Sequence, residues 1–213
     1  NLEIPLVKEK MSLLLSGRTT YSDWIMKRLP EKSGYKNGNA GFYDLGATWS
    51  YTIDHLNKVN VYGYYSHDRF EFNENEKYAY SNLNASVNWR TILNEKVTAN
   101  LAAGYDHYDY MNDESTDAVA AARLKFAINQ VYAKVGFNHD LGNGHKLNYG
   151  LSTMLYDLQP GIYEPLNDSS TVVRKELQTE KALESALYIG DQWEINSKLS
   201  IDAGIRLSMF NAL

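Results

Sequence analysis

The sequence has no cysteine, only 4 prolines among 213 residues, and no long apolar run. The lack of cysteine excludes disulfide frameworks, cysteine-based zinc sites and thiol catalysis. A hydrophobic content of 44% is too high for a disordered chain, and few prolines with 14 glycines exclude a collagen-like or linker segment. Because no stretch approaches about 18 consecutive apolar residues, a helical membrane span is excluded.

The charge balance is mildly acidic, with 21 basic and 26 acidic side chains and a net charge of −5. No basic run is present, which argues against a nucleic-acid partner, since such binding relies on neutralising phosphates. The mean hydropathy of −0.47 does not exclude a membrane β-barrel, because the strands of a barrel alternate apolar and polar residues.

The dominant pattern is an apolar residue at every second position. Leu199, Ile201 and Ile205 alternate with Ser200 and Asp202, and similar alternation recurs along the chain. About nine strands are predicted, at 11–15, 43–53, 59–65, 83–89, 97–105, 131–137, 147–155, 183–189 and 199–209. The alanine-rich stretch 118–126 is compatible with a short helix or with the end of a strand.

The predicted connections alternate between short and long. Short polar links with turn residues lie at 55–58, 93–96, 141–145 and 196–198. Long polar stretches lie at 21–41, 68–77, 106–120 and 157–181. This alternation is typical of an outer-membrane barrel with short periplasmic turns and long extracellular loops.

The polar face of the predicted strands is rich in Asn, Ser, Thr, Gly and charged residues, which suits a wet lumen rather than a dry core. Aromatic residues such as Trp49, Trp89, Tyr105 and Tyr149 lie near strand ends on the apolar face, as in membrane girdles. An odd number of strands does not close an antiparallel barrel, so we expect a segment of a larger barrel. The alternative is a soluble all-β module, such as a carbohydrate-binding domain, whose apolar face lies inside a sandwich.

Several segments resemble one family. Residues 5–21 resemble an early barrel strand, residues 186–195 followed by 199–210 resemble a C-terminal barrel hairpin, and 64–70 and 145–150 are also similar. The family is that of the TonB-dependent outer-membrane receptors, particularly those of Bacteroidetes-type bacteria. The resemblance implies an antiparallel transmembrane barrel of about 22 strands in the bacterial outer membrane.

The resemblance also implies a function. Receptors of this family are closed by an N-terminal plug and import large nutrients such as siderophores, vitamins, glycans or peptides, with energy delivered by TonB, ExbB and ExbD. Residues 1–213 are expected to form part of the barrel domain, without a recognisable plug or TonB box. The expected partners are outer-membrane lipid, the remaining strands, the plug with TonB-ExbB-ExbD, and a surface lipoprotein.

Six charged residues on the polar face are the candidate functional side chains. They are expected either to contact the plug or a polar substrate, or to form salt bridges along the lumen wall. The candidates are Arg18, Asp44, Arg90, Asp106, Asp202 and Arg206.

No enzyme, cofactor or metal site is predicted. No nucleophile elbow, HExxH motif or phosphate-binding glycine loop is present, which leaves an outer-membrane enzyme or passive porin as a weaker alternative. The five histidines form no ligand pair. Carboxylates between 106 and 117 could bind Ca²⁺ through oxygen, but their spacing favours a solvated loop.

Overall fold

A computed structural model describes residues 1–20, 23–28, 30, 38–73 and 75–213. These residues form one 11-stranded sheet and a single short helix, α1 (Asp23–Met26). The strands are β1 (Leu2–Val7), β2 (Met11–Thr19), β3 (Asn39–Thr52), β4 (Asn57–Asn73), β5 (Glu76–Asn94), β6 (Val97–Glu114), β7 (Ala122–Gly142), β8 (His145–Pro165), β9 (Lys175–Glu176), β10 (Glu180–Asn196) and β11 (Leu199–Ala212). No helix in the described ranges is long and apolar enough to cross a membrane.

The sheet is an antiparallel meander. Its order is β1-β2-β3-β4-β5-β6-β7-β8-β10-β11, so neighbours in the sheet are neighbours in the chain, and only the two-residue β9 pairs outside this path, with β8. The all-β antiparallel prediction is therefore confirmed. Within the described ranges no second sheet packs on this one, so the two-layer sandwich of the alternative hypothesis is not formed.

The register places the apolar side chains of all the long strands on one side, here called the apolar face. Trp89 lies opposite Val59 and Leu101, and Leu151 lies opposite Val135 and Leu187. The exposed fractions of Leu45, Val87, Leu101 and Ile205 are 58%, 41%, 38% and 76%. The only buried hydrophobic residues in the described part are alanines. An apolar face that the chain itself leaves open is what a lipid-covered barrel wall requires.

The structure contains a strand, β1, that the sequence did not predict. Residues 5–21 resemble an early barrel strand and the predicted strand there is 11–15, but Glu9 has a φ of 60° and the Lys10 N–H donates to the Val7 carbonyl at 3.1 Å. This turn folds β1 back onto β2. Pro5 is tolerated there because β1 is an edge strand that needs fewer N–H donors. With β1, ten strands lie along the path, and an even number removes the basis for inferring missing strands from parity.

Several stretches predicted as long loops are strand instead. Residues 68–73 end β4, 76–77 begin β5, 106–114 belong to β6 and 157–165 to β8. They were read as loops because they are polar, but backbone pairing continues beyond the apolar band, where both faces meet water. The stretch 118–126 ends in β7, which begins at Ala122. Part of the predicted loop 21–41 lies outside the described residues.

One end of the sheet carries the short turns, and we call it the short-turn end. Its connections are residues 8–10, 53–56, 95–96, 143–144 and 197–198. At the opposite, long-loop end, 115–121 and 166–179 connect strands, whereas β4 and β5 are joined by only two residues. The prediction of short periplasmic turns and longer extracellular loops matches this arrangement.

Aspartate and asparagine side chains build the short turns. The Asp54 Oδ1 atom accepts hydrogen bonds from the backbone N–H groups of Leu56 and Asn57, both at 2.8 Å. These bonds, with two from the Asn57 side-chain amide, lower the pKa of the Asp54 carboxyl. Asn94 caps the β5–β6 turn in the same way, through Lys96 and Val97 at 2.9 and 3.0 Å.

Candidate functional site

The apolar face carries an aromatic group at each end of its apolar band. Near the short-turn end, Trp49 lies 5.6 Å from Tyr51 and Phe137 stacks on Tyr149 at 5.3 Å, measured between ring centroids. Towards the long-loop end, Tyr43 lies 6.0 Å from the Tyr65 ring. Tyr43 and Tyr51 are separated by about 27 Å along β3, which a strand tilted by about 40° reduces to a height of about 20 Å.

Charged side chains on the apolar face lie outside this band or at its edge. Beyond the outer aromatic group, Arg123 donates two bonds of 2.6 Å to Asp113, and the Lys125 ammonium lies 2.5 Å from Glu164. At the short-turn end, His145 contacts Asp191 at 2.6 Å. Because charges are costly in hydrocarbon, these pairs mark where the lipid-covered band ends.

On the opposite, polar face, tyrosine side chains lie over glycines of neighbouring strands. A Cβ atom added at Gly104 would come within 2.5 to 2.8 Å of the Tyr132 ring and hydroxyl. A Cβ added at Gly136 or Gly150 would come within 2.6 Å of the Tyr188 hydroxyl. A side chain at Gly104 or Gly136 would have to displace the tyrosine, and a side chain at Gly150 would also meet the backbone carbonyl of Val135. The rings form part of the lumen wall.

Arg18 and Asp44 are the predicted pair that the structure joins directly. They are register partners on β2 and β3, and the Arg18 Nε atom donates to the Asp44 Oδ2 atom at 2.8 Å. The Arg18 guanidinium also lies 5.2 Å from the centre of the Phe42 ring. The Arg18 side chain therefore already has two contacts with residues of β3.

Arg206 and Asp106 also have partners on neighbouring strands. Arg206 lies 3.8 Å from the carboxylate of Glu184 and 3.5 Å from the Ser152 hydroxyl. Asp106 accepts a hydrogen bond from the Asn84 amide. Glu184, which also accepts from the Tyr156 hydroxyl at 3.1 Å, was missed by the sequence interpretation. Its even-numbered position, in a strand that alternates only weakly, was the sequence feature that indicated the polar face.

The side chains of Arg90 and Asp202 make no hydrogen bond or ion pair with any residue that the structure describes. Arg90 lies opposite Lys58 and Asn100, and Asp202 lies opposite Gln192. Asp202 lines a groove of about 770 Å³ on the polar face, together with Lys96, Lys146 and Arg206. Both residues are thus available for a further contact.

The six candidates share the polar face but do not form one site. Arg18 and Asp44 lie on β2 and β3, near one edge of the sheet, whereas Asp202 and Arg206 lie on β11, at the opposite edge. The acidic residues of 106–117 do not form one site either. Asp113 pairs with Arg123, and the Asp117 carboxylate accepts a hydrogen bond from the Val119 N–H at 2.9 Å. Across the described ranges, no group of three His, Asp or Glu residues is placed to hold a metal ion.

Sequence and structure comparisons agree on one family. The profile of the family described as "TonB dependent receptor-like, beta-barrel" matches residues 15–213. The chain belongs to this family. Its members are transporters and receptors of the bacterial outer membrane. The polar face of the sheet is accordingly the lumen wall of the barrel, and the apolar face is its lipid-facing surface.

Solved receptors share the fold at low sequence identity. The chain superimposes on the copper transporter OprC with a TM-score of 0.71 at 8% identity, over 93% of this chain and 32% of OprC. For the open form of the ferric-catecholate import receptor Fiu from E. coli K12 the TM-score is 0.71 at 9% identity, over 96% and 41%. For a mutant of the ferric enterobactin receptor PfeA from Pseudomonas aeruginosa it is 0.67 at 15% identity, over 98% and 36%.

The chain spans about a third to two fifths of the length of these solved structures. No curated protein sequence matches it significantly.

Proposed function

We propose that the chain is the part of a TonB-dependent transporter barrel that takes up a large nutrient actively, and that it is not an enzyme. The observation that carries this proposal is the uncovered apolar face with an aromatic group at each end of its band. Energy comes from TonB, ExbB and ExbD through a plug domain that lies outside residues 1–213, together with the remaining strands.

Within this proposal, the unpaired charges of the lumen wall hold the plug. Arg90 and Asp202 have no partner in the described part of the wall, and Asp202 lies in the 770 Å³ groove near the short-turn end. Buried charges without partners are costly once a plug excludes water. A complementary charge on the plug satisfies both, whereas Arg18, Asp44, Asp106 and Arg206 chiefly stabilise the wall.

The resemblance of residues 5–21, 186–195 and 199–210 supports a receptor of the Bacteroidetes type, and a surface lipoprotein is a proposed partner at the long-loop end. Siderophores, vitamins, glycans and peptides are the substrate classes of such receptors. The soluble carbohydrate-binding module is disfavoured because the described residues offer no second layer to cover Leu101 or Val87.

Competitive growth of the host tests this proposal. A strain that lacks the receptor gene is expected to lose fitness on one nutrient, and a strain that lacks TonB is expected to lose it on the same nutrient. If the receptor mutant shows a defect that does not depend on TonB, the barrel acts as a passive porin and the proposal is wrong.

The plug contact has its own test. Asp202→Lys is expected to lower uptake while the barrel still assembles, because the reversed charge repels the plug partner. Asp44→Asn is the matched control, since the Asp44 carboxylate is paired with Arg18 within the wall and an amide still accepts that hydrogen bond. Equal uptake defects in the two variants would contradict a plug contact at Asp202.

A further inference from the structure

The polar face towards the long-loop end carries a set of aromatic rings, here called the aromatic shelf: Tyr80, Tyr108, Tyr110 and Phe126. Tyr110 lies opposite Tyr80 and Phe126 in register. Its ring stacks on Phe126 at 4.7 Å, and the Tyr108 ring lies 5.9 Å from Phe126. Rings in this arrangement present flat apolar surface beside hydroxyl groups.

A cavity of about 400 Å³ lies next to the shelf, and Tyr108 belongs to both. Its lining comes from four adjacent strands, β4 to β7. The lining includes the polar residues Tyr64, Asn82, Asn84, Asp106 and Gln130. Amides both donate and accept hydrogen bonds, whereas the carboxylate only accepts. The volume is within the range of small-molecule sites.

Hydrogen-bonding capacity remains unused around the shelf. The Asn112 Oδ1 atom, two residues beyond Tyr110 on the same face, is buried without a hydrogen-bond partner in the described part of the chain. The Asp68 side chain, opposite Tyr80, makes no described hydrogen bond, and it interacts electrostatically with Arg18. The Asp68 carboxylate is half-buried and can accept a hydrogen bond from a ligand hydroxyl.

Positive charge is missing from this part of the wall. The polar face of β4 to β7 is formed here by the even-numbered residues of 64–70, 78–84, 106–112 and 124–130, and none of these is Lys or Arg; Arg69 and Lys125 lie on the opposite face. Two basic side chains elsewhere on the polar face already have partners. Arg18 forms an ion pair with Asp44, and the Lys134 ammonium lies 5.4 Å from the centre of the Tyr188 ring. Anionic ligands are bound by Arg or Lys, so this wall disfavours them.

From these features we infer that the shelf and its cavity bind a neutral, hydroxyl-rich ligand, an oligosaccharide. Sugar hydroxyls donate and accept, which matches the mixture of amides and carboxylates, while the C–H faces of the sugar ring cover the aromatic rings. A cationic ligand has donors alone, so it leaves the Gln130 amide N–H groups without an acceptor, whereas Asn82 and Asn84 already donate to Ser66 and Asp106. This inference rests on the proposed function and names its substrate class.

Binding to the intact receptor in detergent tests the inference. The probes are an array of neutral oligosaccharides from plant, fungal and bacterial polymers, with ferric enterobactin as the anionic probe and an oligolysine peptide as the cationic probe. Binding of a neutral oligosaccharide, without binding of the other two, is expected. Binding of only a charged probe, or failure of every neutral glycan, overturns the inference.

Variants locate the site. Tyr110→Ala is expected to weaken oligosaccharide binding roughly tenfold, whereas Tyr110→Phe keeps the ring and stays near the parent affinity. Tyr65→Ala, on the lipid-facing side, is the matched control and is expected to leave affinity unchanged. Equal affinities of Tyr110→Ala and the parent would place the glycan elsewhere and overturn the assignment.

This experiment separates the inference from the proposed function, because binding in detergent does not require TonB. A receptor that supports TonB-dependent growth on a charged nutrient, but binds no neutral glycan, overturns the substrate class alone. Glycan binding by a receptor whose growth phenotype is independent of TonB overturns the transport proposal alone.

Discussion

Tyr132 lies across Gly104 on the lumen wall, so close that a Cβ atom at position 104 would come within 2.5 Å of the tyrosine hydroxyl. The two residues are register partners on β6 and β7. The aromatic ring thus covers the backbone of the neighbouring strand, and the small residue is required by contact rather than by backbone conformation.

We predict that Gly104→Val destabilises the receptor by about 1–3 kcal/mol, because the added methyl groups displace the Tyr132 ring. The shift of the guanidinium unfolding midpoint of the intact receptor in detergent measures this. Gly63→Val is the matched control, since a Cβ at Gly63 meets nothing within 4 Å. Adding Tyr132→Ala should recover part of the loss; an unchanged loss in the double variant would show that the ring is not responsible.

Leu101 lies at the centre of the apolar band of β6, between Trp89 and Val135 in register. Leu101→Arg is predicted to cost about 2–4 kcal/mol of stability in a bilayer, because a charge at the middle of the membrane is poorly solvated. The neighbouring Asn100→Arg, on the lumen wall, should change stability little. Unfolding in lipid vesicles measures both, and similar costs for the two variants would contradict the assignment of faces.

The Asp54 turn predicts a pH-dependent contribution to stability. Since the pKa of the folded carboxyl is lowered by hydrogen bonds from Leu56 and Asn57, the contribution is present above the ordinary pKa of aspartate. It is lost as the pH falls through the lowered pKa. The difference in unfolding midpoint between the parent and Asp54→Ala should therefore shrink in acid.

Asp54→Asn separates hydrogen bonding from ionisation, because it keeps an acceptor oxygen and does not titrate. Its midpoint relative to Asp54→Ala is expected to vary less with pH than that of the parent. A difference between the parent and Asp54→Ala that stays constant through the acid range would show that the carboxylate is not the stabilising group.

Alternation of side chains was sufficient to predict the long strands, because a wall between lipid and a wet lumen enforces period two. Leu199, Ile201 and Ile205 all lie on the predicted face. The strand β1 was missed because its turn inverts the parity, so that Leu2 and Ile4 lie opposite Leu15 and Leu13. The positive φ of Glu9 could not be predicted, because glutamate has no preference for that backbone conformation.

The candidate site was only partly predictable. The pairing of Arg18 with Asp44 follows from strand register, which depends on the unpredicted lengths of the turns and on bulges. The polar strand extensions beyond residue 106 were read as loops, which hid the alignment of Tyr80, Tyr110 and Phe126 across three strands. A single sequence does not contain that register.

The central claim is that bilayer lipid covers the apolar face. Residues 1–213 contain no cysteine, so single cysteines introduced at positions 98–104 of the intact receptor can carry a spin label with no competing thiol from this stretch. In lipid vesicles, labels at 99, 101 and 103 should collide mainly with oxygen, and labels at 98, 100 and 102 mainly with a water-soluble nickel chelate. The reverse pattern, or the absence of alternation, would contradict the account.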